Sequence, residues 1–490
     1  MPDPAPNMHE DSPPATAQGQ AATGAASSDT ALRAAFDALF QASRADPLPD
    51  WPRRRARLLA LKTMIRRNRT VFGAAIARDF GQRPQAETDM AEIFPSLQEI
   101  RHALRHGKGW MRRRKAGVSL PFLPARAAIH PRPVGLVGIV APWNYPLFLA
   151  IGPLVSAFVA GNRAMVKLSE HAPAFAEAFA TAATAHFDAQ TLAVVTGGPE
   201  VAAPFTALPF DHLVFTGSTA IGHHVMAAAA ANLTPLTLEL GGKSPALVAP
   251  DADLDQAVAA IMRGKLLNAG QTCIAPDYVL VPRARQDDFI VAAKAWVARH
   301  YPALAGNPDY SHIINPAQFA RLDRALQAAL AKGASAHALS DAAPDAARRL
   351  MPPLIVLDAQ GPLAEEEIFG PILPLVPYDH LREAVAHITA RPRPLAFYPF
   401  TRDPETRALL LAHVTAGGVS VNDTLFHIAQ PGLPFGGIGA SGMGAYHGKA
   451  GFERLSHLMP VFEQAKMNGA GLLAPPYRHR FRNLMRLLMR

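Results

Sequence analysis

From residue 134 onward the chain alternates short, uninterrupted apolar runs with stretches of helical periodicity, and no other feature restricts its fold as strongly. The runs fall at 134–140, 163–168, 192–196 and 212–215, with helical patterns around 147–160, 173–186 and 219–231. A strand that is apolar on both faces must be covered on both, which a parallel sheet wrapped by helices achieves. A doubly wound α/β nucleotide-binding domain is the expected result. A second alternating set starts near Leu236, with strand-like runs at 236–240, 245–249, 278–281, 353–357 and 418–421. Helical patterns at 253–266, 287–299, 316–332 and 403–413 separate them and define a second α/β domain. Two domains also suit the length, since 490 residues exceed what one hydrophobic core usually serves.

The flanks read differently. Residues 1–30 are rich in Ala, Pro, Ser, Gly and Thr, and carry Asp3, Glu10 and Asp11 where a secretory signal would have a basic start. They are expected to be a disordered tail. From 31 to about 115 apolar residues recur at helical spacing, as in Leu58, Leu61 and Ile65, with Pro52 suited to a first helical turn. Residues 118–133 contain Pro121, Pro124, Pro131 and Pro133, a pattern for an edge strand or an arm that leaves the domain. The expected layout is therefore a cofactor domain over 31–237, a catalytic domain over 238–431, a return to the cofactor domain and arm over 432–465, and a tail over 466–490. In that tail Tyr477, Phe481, Leu484, Met485 and Leu488 share one helical face, and Arg478, Arg482, Arg486 and Arg490 another. Such a helix suits packing against protein, with an anionic membrane surface as the alternative.

Charge and cysteine usage exclude several classes. The formal net charge of +9 comes from scattered arginines, apart from Arg112, Arg113, Arg114 and Lys115. Neither zinc-finger spacing nor a glycine-aromatic RNA-binding motif accompanies them, so no nucleic-acid partner is expected. A single cysteine forms no intramolecular disulfide, which points to a reducing, cytoplasmic setting. No run of about 18 apolar residues implies a transmembrane helix. His223 and His224 are adjacent and point in different directions on a helix, so no metal site is expected.

Residues with chemical potential lie in loops that follow the apolar runs. Cys273 sits in Asn268-Ala-Gly-Gln-Thr-Cys273; it is either a small buried hydrophobe or a nucleophile. A normal thiol is only about 3% ionised at pH 7, so a reactive role needs a site that favours the thiolate. Trp143 and Asn144 follow the first run, and Glu239 and Leu240 close another ahead of Gly241 and Gly242. Gly217, Ser218 and Gly222 join a strand to a helix, where free N–H groups can meet a pyrophosphate. Lys167 and Glu170 follow a run where ribose hydroxyls could bind, and Glu170 would repel a 2′-phosphate. Each of these, taken singly, is also ordinary turn chemistry.

Together the segments resemble the aldehyde dehydrogenase family over roughly residues 31–465. The likeness rests on P-W-N-Y-P at 142–146, K-L-S-E at 167–170, F-T-G-S-T at 215–219, L-E-L-G-G-K-S-P at 238–245 and G-Q-T-C at 270–273, then E-E-I-F-G-P at 366–371 and P-F-G-G at 434–437. The run from Gly439 through Tyr446 and His447 resembles the branch that acts as dimers on aromatic and fatty aldehydes, with bacterial coniferaldehyde-oxidising members nearest in pattern. The resemblance implies a Rossmann-like NAD-binding domain, an α/β catalytic domain and a small oligomerisation arm. It implies a homodimer that oxidises a small-molecule aldehyde with NAD, NADP being possible. Cys273 would be the nucleophile, Glu239 the base for the deacylating water, and Asn144 an oxyanion donor. Trp143, Lys167, Glu170, Gly217, Ser218, Gly222, Leu240, Glu367 and Phe369 would bind cofactor. One departure is Leu168, where the family usually has proline. A CoA-acylating or reductive enzyme on the same fold, and a silent binding protein, are the rival expectations.

Overall fold

The computed structural model describes residues 16–477 and 479–489. A helical layer comes first, with helices Thr16–Ala45, Trp51–Arg67, Arg69–Phe80 and Phe94–Trp110. Asp50 starts the second of these by accepting the Arg53 N–H at 3.1 Å, with Pro52 in the first turn. The first helix begins at Thr16, so the stretch 16–30 expected to be disordered is helical; its alanines cost the least to order in a helix. Residues 1–15 lie outside the described residues.

Five parallel strands form the heart of a six-stranded sheet in the order Leu236–Leu240, His212–Gly217, Leu136–Val140, Arg163–Lys167 and Leu192–Val195. Helix Phe148–Ala160 is buried along its whole length against this sheet, and stops at Gly161, whose φ of 98° few side chains tolerate. The strand order reverses between Leu136–Val140 and His212–Gly217. Connections leave these two strands toward opposite sides and open a crevice at their carboxyl ends, where ligands of such sheets bind.

A seven-stranded sheet follows in the order Ser335–Ala338, Leu354–Leu357, Ile372–Tyr378, Tyr278–Pro282, Pro245–Val248, Ala396–Phe400 and Gly418–Val419, parallel except at its first member. The boundary expected at 237–238 is corrected here. Leu236–Leu240 pairs in parallel with residues 213–217 and belongs to the first sheet, so the second set of strands starts at Pro245. The chain crosses between sheets in the four residues Gly241 to Ser244, which puts Glu239 at the joint.

Strands Arg114–Ala116, Arg126–Pro133 and Ser456–Glu463 form a separate antiparallel sheet with Arg126–Pro133 in the middle. The prolines at 121 and 124 lie in the loop around the short 3-10 turn Leu120–Phe122 instead of in a strand. Before that return, Gly442–Met443 adds antiparallel to Leu236–Leu240, with Gly442 opposite Glu239. Among the described residues no helix is long and apolar enough to cross a membrane, and no group of three or more His, Cys, Asp or Glu is placed to hold a metal.

Candidate active site

Helix Leu254–Leu266 delivers the chain to Cys273 through a turn whose backbone most residues avoid: Asn268 has φ 54°, Ala269 51° and Gly270 76°. The left-handed conformation costs roughly 1–2 kcal/mol for each non-glycine residue. Hydrogen bonds hold the turn in place. The Asn268 N–H donates to the Glu87 carboxyl at 3.1 Å, and its side-chain amide donates to the carbonyls of Asn144 and Gln271 at 3.1 and 3.2 Å. Gln271 donates to the Asn268 and His312 carbonyls at 2.9 and 3.0 Å and accepts the Ile314 N–H at 2.9 Å. Gly270 must be glycine for a second reason, because a side chain there would strike the Gly370 carbonyl in the segment that follows Glu367 and Phe369.

Asn144 comes from the other sheet, in the loop after Leu136–Val140, and is 3% exposed. Its amide Nδ2 donates to the Gln271 carbonyl at 3.2 Å, so the two loops are tied directly together. Arg83 donates to the Asn144 carbonyl at 3.0 Å and pairs with Glu92 at 2.8 Å, both side chains being inaccessible to solvent. Glu92 also accepts the N–H groups of Leu147 and Phe148. Glu87 lies just before a π-helical turn, Asp89–Ile93, and Glu92 within it; the i to i+5 spacing of that turn suits two acids five residues apart, and both are buried.

Glu239 is the third member. It lies on the strand before the crossover, is 1% exposed, and neither carboxyl oxygen has an ordinary hydrogen-bond partner. Burial pushes its pKa up to about 8, and contact with the Cys273 thiol is what opposes that rise. Burial and the carboxylates of Glu239 and Glu367 push the thiol well above its ordinary value, while the Cys273 backbone N–H works the other way. Glu367 itself is raised to about 8 by burial and by Asp277, against an N–H from Gly242. A side chain at Gly241 would collide with the Glu367 carboxyl, so the glycine makes that approach possible. Thus a thiol and an amide from two loops and a carboxyl from a strand end come together at the joint between the sheets.

The expected cofactor residues gather along the crevice. Lys167, 2% exposed in its side chain, holds Glu170 at 2.9 Å. Burial pushes the Glu170 carboxyl up, but Lys167 and a backbone N–H more than reverse this and leave it below its usual range. Gly217 ends a strand, and Ser218 caps helix Thr219–Ala230. Gly222 faces Leu240 so closely that a methyl group would not fit between them. Trp143 meets Phe369 edge-on at 5.3 Å, bringing the first sheet's loop to the Glu367 segment. A helix N-terminus, a lysine–glutamate pair and the unpartnered Glu367 Oε1 fit a dinucleotide with ribose hydroxyls at both ends.

The family model described as "Aldehyde dehydrogenase family" matches residues 5–461. This chain belongs to the aldehyde dehydrogenase family. It is 41% identical over 442 residues to a coniferyl aldehyde dehydrogenase of Pseudomonas sp. (strain HR199 / DSM 7063), covering 89% of this chain and 92% of that one. It is 37% identical to a rat enzyme named "Aldehyde dehydrogenase, dimeric NADP-preferring", covering 84% and 90% of the two chains. Among solved structures, the substrate-bound state of Staphylococcus aureus AldH superposes with a TM-score of 0.88 at 35% identity, covering 93% and 99%. The expected family and fold therefore hold, as does the aldehyde-oxidising class of enzyme.

Two features of this aldehyde dehydrogenase were out of reach of the motifs. Leu168, where the family usually has proline, uses the N–H that proline lacks to bond the Val195 carbonyl at 3.0 Å, prolonging the pairing beside Lys167. Arg83, Glu87 and Glu92 position the site without belonging to any recognised run. Their one signal was acids inside an amphipathic helix, and the spacing of the π turn suits both of them. Glu92→Gln leaves Arg83 buried opposite a neutral group, and unpaired buried charges cost about 3–5 kcal/mol. Thermal unfolding should therefore begin about 3–5 °C below wild type. Replacing Arg83 and Glu92 together with Met should recover part of the loss.

Proposed function

We propose that this enzyme oxidises a hydroxylated aromatic aldehyde to its acid with NAD, NADP serving as an alternative cofactor, and that Cys273, Glu239 and Asn144 carry the reaction. The observation that carries this reading is the buried Glu239 carboxyl facing the Cys273 thiol, with the Asn144 amide bound to the same loop. Burial and the two carboxylates favour the protonated Cys273, contrary to the expected thiolate-favouring site, so the half-exposed thiol gives its proton to water as the sulfur adds to the aldehyde carbon. The negative oxygen that results is held by the second N–H of the Asn144 amide and the Cys273 backbone N–H; losing one such donor typically costs about 3–4 kcal/mol. Trp143, Glu367 and Phe369 would hold a nicotinamide, which would supply the hydride acceptor, so that a thioester would be left on Cys273. Glu239 then takes a proton from water, whose oxygen attacks the thioester carbon and releases the acid and the thiol. Such general-base help is worth roughly 10² to 10⁴ in rate. A CoA-acylating enzyme has no need of this buried base, so water is the favoured acyl acceptor.

The substrate class is supported by an aromatic wall behind the site. Tyr446 is close enough to Glu239 and Cys273 to feel both, and it packs edge-on against Phe435 and His447. His447 stacks with Phe435 at 5.7 Å and meets Phe148 at 5.6 Å, while His427 lies 6.1 Å from Phe435. The His427 Nε2 and the His447 Nε2 lack hydrogen-bond partners, the Tyr446 hydroxyl is shared with Thr216, and the His447 Nδ1 lies 3.7 Å from the Glu99 carboxyl. A flat ring bearing a hydroxyl, as in coniferaldehyde, answers both the apolar faces and those unused polar atoms. The name of the Pseudomonas relative agrees. A homodimer is supported by the exposed Leu120, Phe122, Leu123 and Phe462 near the end of the three-stranded sheet, and by the name of the rat relative.

Three experiments test the reading. Cys273→Ala should abolish oxidation and leave NAD binding by fluorescence titration within about twofold, whereas Glu239→Gln should give a stoichiometric burst of reduced cofactor followed by turnover slowed about 10² or more. An unchanged steady state in Glu239→Gln would remove the assigned base. Because the buried Glu239 is protonated below about 8, the deacylation rate should rise with pH through that value in stopped-flow traces and lose this limb in Glu239→Gln. In a panel of aldehydes, kcat/KM for coniferaldehyde should exceed that for cinnamaldehyde, which lacks the hydroxyl, by about five- to tenfold; equal values would sink the polar-wall argument.

A further inference from the structure

After Glu463 the chain carries Lys466, Arg478, Arg480, Arg482, Arg486 and Arg490 and not one Asp or Glu. Helix His479–Leu488 forms in this segment. Its spacing places Phe481, Leu484, Met485 and Leu488 along one stripe, with Arg482 and Arg486 on the opposite side. The helix packs on the short turn Ala470–Leu473, and Phe481, Leu484 and Met485 are only half-buried. The segment exposes large apolar groups well beyond the usual scatter: Met467 is 84% exposed, Tyr477 57%, Leu487 68%, Leu488 46% and Met489 72%.

We propose that this basic amphipathic segment docks on an anionic lipid surface. Two needs must be met at once, cover for an apolar stripe and neutralisation of arginines that have no acid in the segment. A bilayer interface supplies acyl chains and phosphate headgroups in that geometry, the apolar face sinking in while the arginines stay at headgroup level. A second copy of the chain is a poorer partner, since its formal charge is also +9.

The test is co-sedimentation of the full chain with phosphatidylcholine vesicles, with and without about 30 mol% phosphatidylserine, where each engaged arginine adds about fivefold in partitioning. The chain should bind the anionic vesicles at least about tenfold better than neutral ones, and salt at about 0.5 M should weaken the binding. Two double variants, Leu484→Glu with Leu488→Glu and Arg482→Glu with Arg486→Glu, should each lower binding about tenfold or more and leave aldehyde oxidation unchanged. Failure to bind anionic vesicles, or binding kept by both variants, overturns the proposal. A drop in solution mass in either variant does so too, by assigning the helix to a contact between copies.

Discussion

The site depends on holding two loops from different sheets in one register, and the means is a set of charged and amide groups sealed away from water. Arg83 binds the carbonyl of Asn144 and pairs with Glu92, Glu87 grips the Asn268 N–H, and the Asn144 and Asn268 amides share the Gln271 carbonyl. Every such bond is made in a region of low polarity, where satisfied groups are strongly directional and an orphaned one is costly. The left-handed turn before Cys273 persists because this network over-determines it. Remove the network, and the backbone has no reason to keep the Cys273 loop tied to Asn144.

The same desolvation sets the chemistry. Glu239 and Glu367 are carboxyls without enough donors around them; burial raises both and the Cys273 thiol, and the two carboxylates push the thiol further up while its contact holds Glu239 back. Stability alone would favour hydrogen-bonded or apolar residues at these positions. What the arrangement provides is a carboxyl with a pKa near neutrality, suited to taking a proton from water and giving it up again. The joint between the sheets thus combines a left-handed turn at Asn268 and Ala269 with the unpartnered carboxyl of Glu239.

Much of this was legible beforehand, and the misses have physical causes. Asn144 and Glu239 stood out because each lies where an apolar run ends, and Cys273 because it is the single cysteine and sits in a glycine-containing turn. Strands Ile372–Tyr378 and Ala396–Phe400 stayed hidden because Pro374, Pro377 and Pro399 interrupt them, and a proline normally argues against an interior strand. Leu236–Leu240 was assigned to the wrong sheet because a parallel strand carries no mark of which neighbour it will join; that is settled by its bonds to residues 213–217. The alanine-rich start looked featureless by composition, although alanine is also the best helix former.

Local order along the chain, then, came from the residues alone: the alternation of apolar runs and helices, the glycine turns and the order of the motifs require a two-sheet α/β enzyme with its reactive groups in loops. Only the tertiary structure could decide which loops meet, which acids are deprived of water, and that Arg83 and Glu92 are buried against each other. Those outcomes depend on distance and dielectric between segments that lie far apart in the sequence, such as Asn144 and Gln271, and no local pattern encodes either quantity.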